Sequence, residues 1–73
     1  MTALAEETGV LQIGEVAGKV WHYLVENGPV PFSKLVKGID APRDVVMQAI
    51  GWLAREDKVV IEGMGRFKRI SLR

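Results

Sequence analysis

Apolar positions recur along this chain first at a helical period and then at a strand period. Ile13, Val16, Ala17, Val20, Trp21 and Leu24 fall at i, i+3, i+4, i+7, i+8 and i+11, which predicts a first amphipathic helix. Asn27-Gly28 supplies a left-handed C-cap and Pro29 stops the helix. The following Pro29-Val-Pro-Phe32 is extended by its two prolines and can add only a brief edge strand. Ser33 is an N-cap candidate for a short second helix from Lys34 to about Ile39, with Leu35, Val36 and Ile39 turned inward.

The strongest helical stretch is Pro42–Glu56, where Val45, Val46, Ala49, Ile50, Trp52 and Leu53 share one face. Pro42 suits a first helical position, and Asp44 sets a carboxylate near the free N–H groups of the first turn. Beyond it, Lys58–Glu62 and Arg66–Leu72 are rich in β-formers and flank Gly63-Met64-Gly65, the pattern of a hairpin. In the second strand Ile70 and Leu72 alternate with Arg69, Ser71 and Arg73, so one face is apolar and the other basic. Residues 1–12 carry no clear period and are read as a flexible or loosely docked arm, with Leu4, Val10 and Leu11 available to pack. Residues 13–73 then form one domain.

The predicted order is helix, brief strand, helix, tight turn, helix, hairpin. That is an α+β, mainly α arrangement: a winged helix-turn-helix, with a three-helix core and a C-terminal two-stranded β-wing. The stretch IGEVAGKVWHYLVENGPVPFSKL, followed by VMQAIGWLAREDKVVIE, resembles a family of small bacterial and archaeal winged helix-turn-helix proteins without an assigned biochemical function. The resemblance spans roughly residues 13–72, and IGEVAGKVW and GWLARED carry most of it. It implies the fold and leaves the activity open.

Composition narrows the class. Hydrophobic residues make up 48% of the 73, too many for a disordered chain, and a domain this small has a marginal core. Cysteine is absent, which removes disulfides and thiolate metal sites and suits a reducing cytoplasm. No apolar run approaches the ~20 residues of a membrane helix, and the acidic N-terminus lacks a leader layout. A cytoplasmic protein without membrane contact is expected. Net charge is +1, but it is unevenly distributed. Residues 1–33 hold one Lys against four acids, a net of −3, whereas residues 34–73 hold nine Lys or Arg against five acids, a net of +4. Such asymmetry favours nucleic acid.

Duplex DNA is therefore the first candidate partner. A recognition helix starting at Pro42 would offer Arg43, Met47 and Gln48 to base edges. Lys34, Lys37, Arg55 and the wing residues Arg66, Lys68 and Arg69 would meet phosphates. Asp44 opposes this unless it caps the helix or reads a cytosine. The structural alternatives are a solvated helix face and basic protection of an exposed strand edge.

The second candidate is a protein-interaction module, most simply a homodimer. Gly14, Gly18 and Val25 form a smooth strip on the first helix, and Met47, Gly51 and Ala54 a comparable one on the third. Trp21 and Trp52, at the margins of their apolar faces, are expected in the core.

Enzyme chemistry is not expected. His22 has no second ligand at i+3 or i+4 and no predicted cleft joining it to Ser33 or Ser71. Gly63–Lys68 lacks the ending of a phosphate-binding loop and opens a strand rather than a helix. No cofactor, metal or small-molecule ligand is implied.

Overall fold

A computed structural model describes the backbone of residues 2–73 and the side chains of residues 9–73 except Arg66. Helix α1 runs over Thr2–Asn27, strand β1 over Val30–Pro31, helix α2 over Phe32–Gly38 and helix α3 over Arg43–Arg55. Strand β2 (Val59–Glu62), a 3-10 turn (Gly65–Phe67) and strand β3 (Arg69–Leu72) complete the chain. The result is the winged helix-turn-helix that the two periods predict.

The core forms where the amphipathic faces meet. α1 packs chiefly on α3, and Val16, Ala17, Val20 and Leu24 from α1 meet Val45, Val46, Ala49, Ile50 and Leu53 from α3. Leu35 closes one side from α2, while Val30, Val59 and Ile70 close another from the sheet. No described polar or charged side chain is buried, so packing of aliphatic groups carries the fold. The sheet is antiparallel in the order β1-β3-β2. Val30 pairs with Ile70 on one edge of β3 and Ile61 pairs with Ile70 on the other. The expected brief strand thus extends the wing to three strands, with its C-terminal strand in the middle.

The end of α1 is capped as its sequence predicts. Gly28 is left-handed at φ 72, its N–H donates to Leu24 O at 2.8 Å, and Asn27 Nδ2 donates to Tyr23 O at 2.9 Å. These bonds satisfy carbonyls that the last turn would otherwise leave open.

Four local expectations are corrected. The helix expected from Ile13 is already formed at Thr2, so the stretch expected as a separate arm continues the same rod. Val10 and Leu11 are 67% and 66% exposed, and Leu4 lies outside the described side chains. Ser33 does not cap α2. Its N-cap is Pro31, without a side-chain cap bond, because the Phe32 N–H is taken by Lys68 O of the wing at 3.1 Å. Residues 66–68 do not extend the last strand, because Gly63 (φ 92) and Gly65 (φ 59) wind the tip into the 3-10 turn. Finally, Trp21 and Trp52 are not core residues: they are 40% and 45% exposed.

Candidate nucleic-acid interface

The helix-turn-helix is built by α2, the turn at residues 39–42 and α3. The turn is fixed by the Ile39 N–H donating to Leu35 O and the Ala41 N–H donating to Ile39 O. Pro42 is the N-cap of α3 with extended backbone, one position outside the expected start. Its carbonyl accepts the Val46 N–H at 3.0 Å, and Asp44 is the acid of the first turn, where the helix dipole favours it.

With the apolar face of α3 committed to the core, its other side is presented outward. Arg43, Asp44, Gln48, Gly51 and Arg55 are exposed, and Met47 is 36% exposed. Lys34 and Lys37 are exposed on α2. The main chain leaves α3 through Asp57, a left-handed residue at φ 63, and enters β2, so the wing is rooted directly at the end of this helix.

On the wing, Lys68 and Arg69 are exposed. Arg69 stands opposite Glu62 in the β2–β3 register and opposite Pro31 in the β1–β3 register. Its guanidinium donates to Pro29 O at 3.3 Å, which draws it across the sheet toward β1. Glu62 tempers the positive charge there. The Arg66 side chain lies outside the described residues. Arg73 Nε pairs with Asp57 Oδ1 at 3.1 Å, an exposed contact that ties the end of β3 to the root of the wing.

Several exposed apolar residues escape the sequence analysis. Met64 and Phe67 project from the wing tip at 79% and 77% exposure. Between α1 and the end of α3, Gly14, Ala17, Gly18, Trp21, Trp52, Leu53 and Lys58 line a groove of about 290 Å³. The Lys58 ammonium lies 6.0 Å from the Trp52 ring. A second groove, of about 630 Å³, joins Val10, Leu11, Ile13, Gly14 and Glu15 to the other side of Trp52. Gly14 and Gly18 of the expected interaction strip are therefore brought together with both tryptophans. Val25, on the same helix, is 52% exposed; Gly51 is exposed on α3, and Ala54 is partly buried against the core.

His22 Nδ1 lies 2.8 Å from Gly18 O, and since a carbonyl only accepts, this nitrogen carries the proton. The His22 ring also stands edge-on to Trp21 at 5.5 Å. Among the described residues, no group of three or more His, Cys, Asp or Glu is placed to hold a metal ion, and no helix is long and apolar enough to cross a membrane.

Comparison with known proteins agrees with this architecture. A winged helix-turn-helix domain family (DUF2582) matches residues 6–72. The uncharacterized protein MJ1608 of Methanocaldococcus jannaschii is 43% identical over 53 residues, covering 68% of this chain and 74% of that protein. The solution NMR structure of protein BT2368 from Bacteroides thetaiotaomicron superposes with a TM-score of 0.73 at 38% identity, covering 84% of this chain and 74% of that one. The winged helix is a fold that commonly binds DNA. The chain belongs to the DUF2582 family of winged helix-turn-helix domains.

Proposed function

We propose that this domain binds duplex DNA and serves a transcription-related role without catalysing a reaction. The observation that carries the reading is the outward face of α3, which sets Arg43, Gln48 and Arg55 in solvent on a helix braced by α2 and continuous with a basic wing. On this reading Arg43, Met47 and Gln48 meet base edges, Arg toward guanine and Gln toward adenine. Lys34, Lys37, Arg55, Lys68 and Arg69 meet phosphates, together with Arg66 on sequence grounds. Residues 63–73 contain no acid, which favours a groove contact by the wing. Asp44 stays at the helix start, where it supports the first turn rather than the contact.

The test is an NMR titration of labelled protein with a mixed-sequence duplex at low and then moderate salt. Shifts at Arg43, Gln48, Lys68 and Arg69 that fade with salt are expected. Six neutralised phosphates give a slope of log K against log salt of about −5. A spectrum unmoved by DNA at low salt would overturn the reading.

A protein-interaction role is the second reading, and one observation favours it: Trp21 and Trp52, both near half-exposed, share a groove with Gly14 and Gly18. Exposed tryptophans are over-represented at interface centres.

A further inference from the structure

Helix α1 has three faces. The core stripe through Val16, Val20 and Leu24 faces α3 and the sheet, and a polar stripe carries Gln12, Glu15, Lys19 and Glu26. The third is made of Leu11, Gly14, Gly18, Trp21 and Val25, all exposed. Leu11, Gly18 and Val25 are seven residues apart, as are Gly14 and Trp21. This is the a/d spacing of a helix that packs along another helix, and it lies ~140° around α1 from the core stripe.

The glycines of this face are unexplained within one chain. A Cβ at Gly14 or Gly18 would meet nothing within 4 Å, so among the described residues no contact excludes an alanine there. Glycine inside a helix is destabilising relative to alanine. Two such positions, one turn apart and flanked by exposed Leu11 and Trp21, have the form of a close-approach point on a helix.

We propose that a second copy of this chain docks on this face, α1 against α1 and antiparallel, with the two-fold axis passing between Gly14 and Gly18. The pattern is self-complementary in that register. Gly14 of one protomer meets Gly18 of its partner, letting the backbones close in, and Leu11 packs on the partner's indole at position 21. The same contact occurs twice, as an isologous interface requires. Trp52 flanks the strip and widens it.

A specific dimer needs about 500–600 Å² from each copy, roughly a tenth of this chain's 5239 Å² surface. In this register the two strips overlap from Leu11 to Trp21, ~15 Å at 1.5 Å per residue. The large groups available to supply that area are Leu11, Trp21 and Trp52, 66%, 40% and 45% exposed. The docking is independent of DNA binding, since it uses none of the residues assigned to DNA.

Sedimentation equilibrium from about 1 μM to about 1 mM is expected to show the mass rising from 8.1 kDa toward twice that value. A chain that stays at the monomer mass throughout overturns the proposal. The register is tested by NOE spectra at high concentration. Leu11 and Trp21 lie ~15 Å apart along one helix, too far for a contact within a chain, so a cross-peak between the Leu11 methyls and the Trp21 indole must join two protomers. Its absence in a dimeric sample overturns the α1–α1 arrangement. Gly18→Leu, whose Cβ meets nothing within 4 Å in the monomer, should keep the fold by circular dichroism and weaken dimerisation at least ~100-fold. Gly51→Ala, off this face, should leave it unchanged. A folded Gly18→Leu chain that dimerises normally would also overturn the proposal.

Discussion

Helices α1 and α3 bury matching faces in one core yet turn outward in opposite chemical styles. The outer side of α3 is Arg, Asp, Gln and Arg around Gly51, a surface at ease in water and suited to a polyanion. The third face of α1 is Leu, Gly, Gly, Trp and Val, which water does not reward and whose glycines weaken the helix that bears them. Inner faces reveal only that both helices fold onto something. Outer faces answer to what lies outside the chain, and the two proposals above give these faces different partners: an extended charged polymer for α3, a second apolar helix for α1.

The most severe perturbation removes what the helices share. Leu53 is 3% exposed on α3, and Leu53→Ala should cost about 2–5 kcal/mol by urea denaturation. A domain of this size has only about 4–11 kcal/mol in total, so DNA binding and self-association should fail together. A near-neutral result would mean that the α1–α3 packing is misplaced.

Next comes Gly63→Ala, which touches one partner surface alone. Gly63 has φ 92, and an added Cβ would lie 2.7 Å from Phe67 O, a backbone clash on a left-handed residue that should cost about 1–3 kcal/mol. Wing resonances should shift and DNA affinity fall, with the dimer mass unchanged. Loss of both functions would show that the two surfaces are coupled.

A smaller change is expected for Lys68→Ala. It should lower the salt slope of DNA binding by about 1 and leave stability and self-association alone. The smallest effect, and the sharpest contrast, comes from a pair of glycines. Gly51 on α3 and Gly18 on α1 both have open space where a Cβ would sit. Alanine at either should stabilise the isolated chain by about 0.5–1 kcal/mol, read as a raised thermal midpoint at low concentration. Only Gly18→Ala should also weaken self-association. If both variants behave alike in every assay, the α1 face is ordinary surface.

Much of this fold was legible because core residues repeat at the period of their element. Val16, Val20 and Leu24, and likewise Val45, Ala49 and Leu53, are buried where helical projection places them. Legibility failed where burial imposes no period. Residues 9–12 of α1 have little chain to pack against, so their sequence carries no core stripe even though the backbone is helical. Projection also gives an angle and not a depth. Trp21 and Trp52 sit at the edges of their apolar stripes, beside Gly14 and Gly18, which are too small to cover an indole.

The start of α2 was missed for a different reason. The helix begins at Phe32 after the N-cap Pro31, and its first N–H is satisfied by Lys68 O of the wing rather than by a local side-chain cap. Within the candidate interface, the basic positions were legible by charge alone. The exposed Met64 and Phe67 at the wing tip were not, because the strand pattern that would have placed Phe67 gives way to a turn.

The central place of β3 has a consequence for how the molecule assembles in time. Pairing Val30 with Ile70 closes a loop of 40 residues, which costs about 3 kcal/mol of chain entropy before either contact is rewarded. The three helices can sample their local structure early, but the sheet cannot form until β3 arrives between strands from opposite ends of the fold. Once there, β3 is held on both edges and cannot fray without releasing β1 from one side and β2 from the other. Amide hydrogens at Arg69 and Ile70, where β3 has a partner strand on each side, should therefore exchange most slowly in the sheet, while those of the wing tip at 63–68 exchange by local opening. That exchange pattern would mark a wing anchored at its root and able to open at its end without loosening the core that bears it.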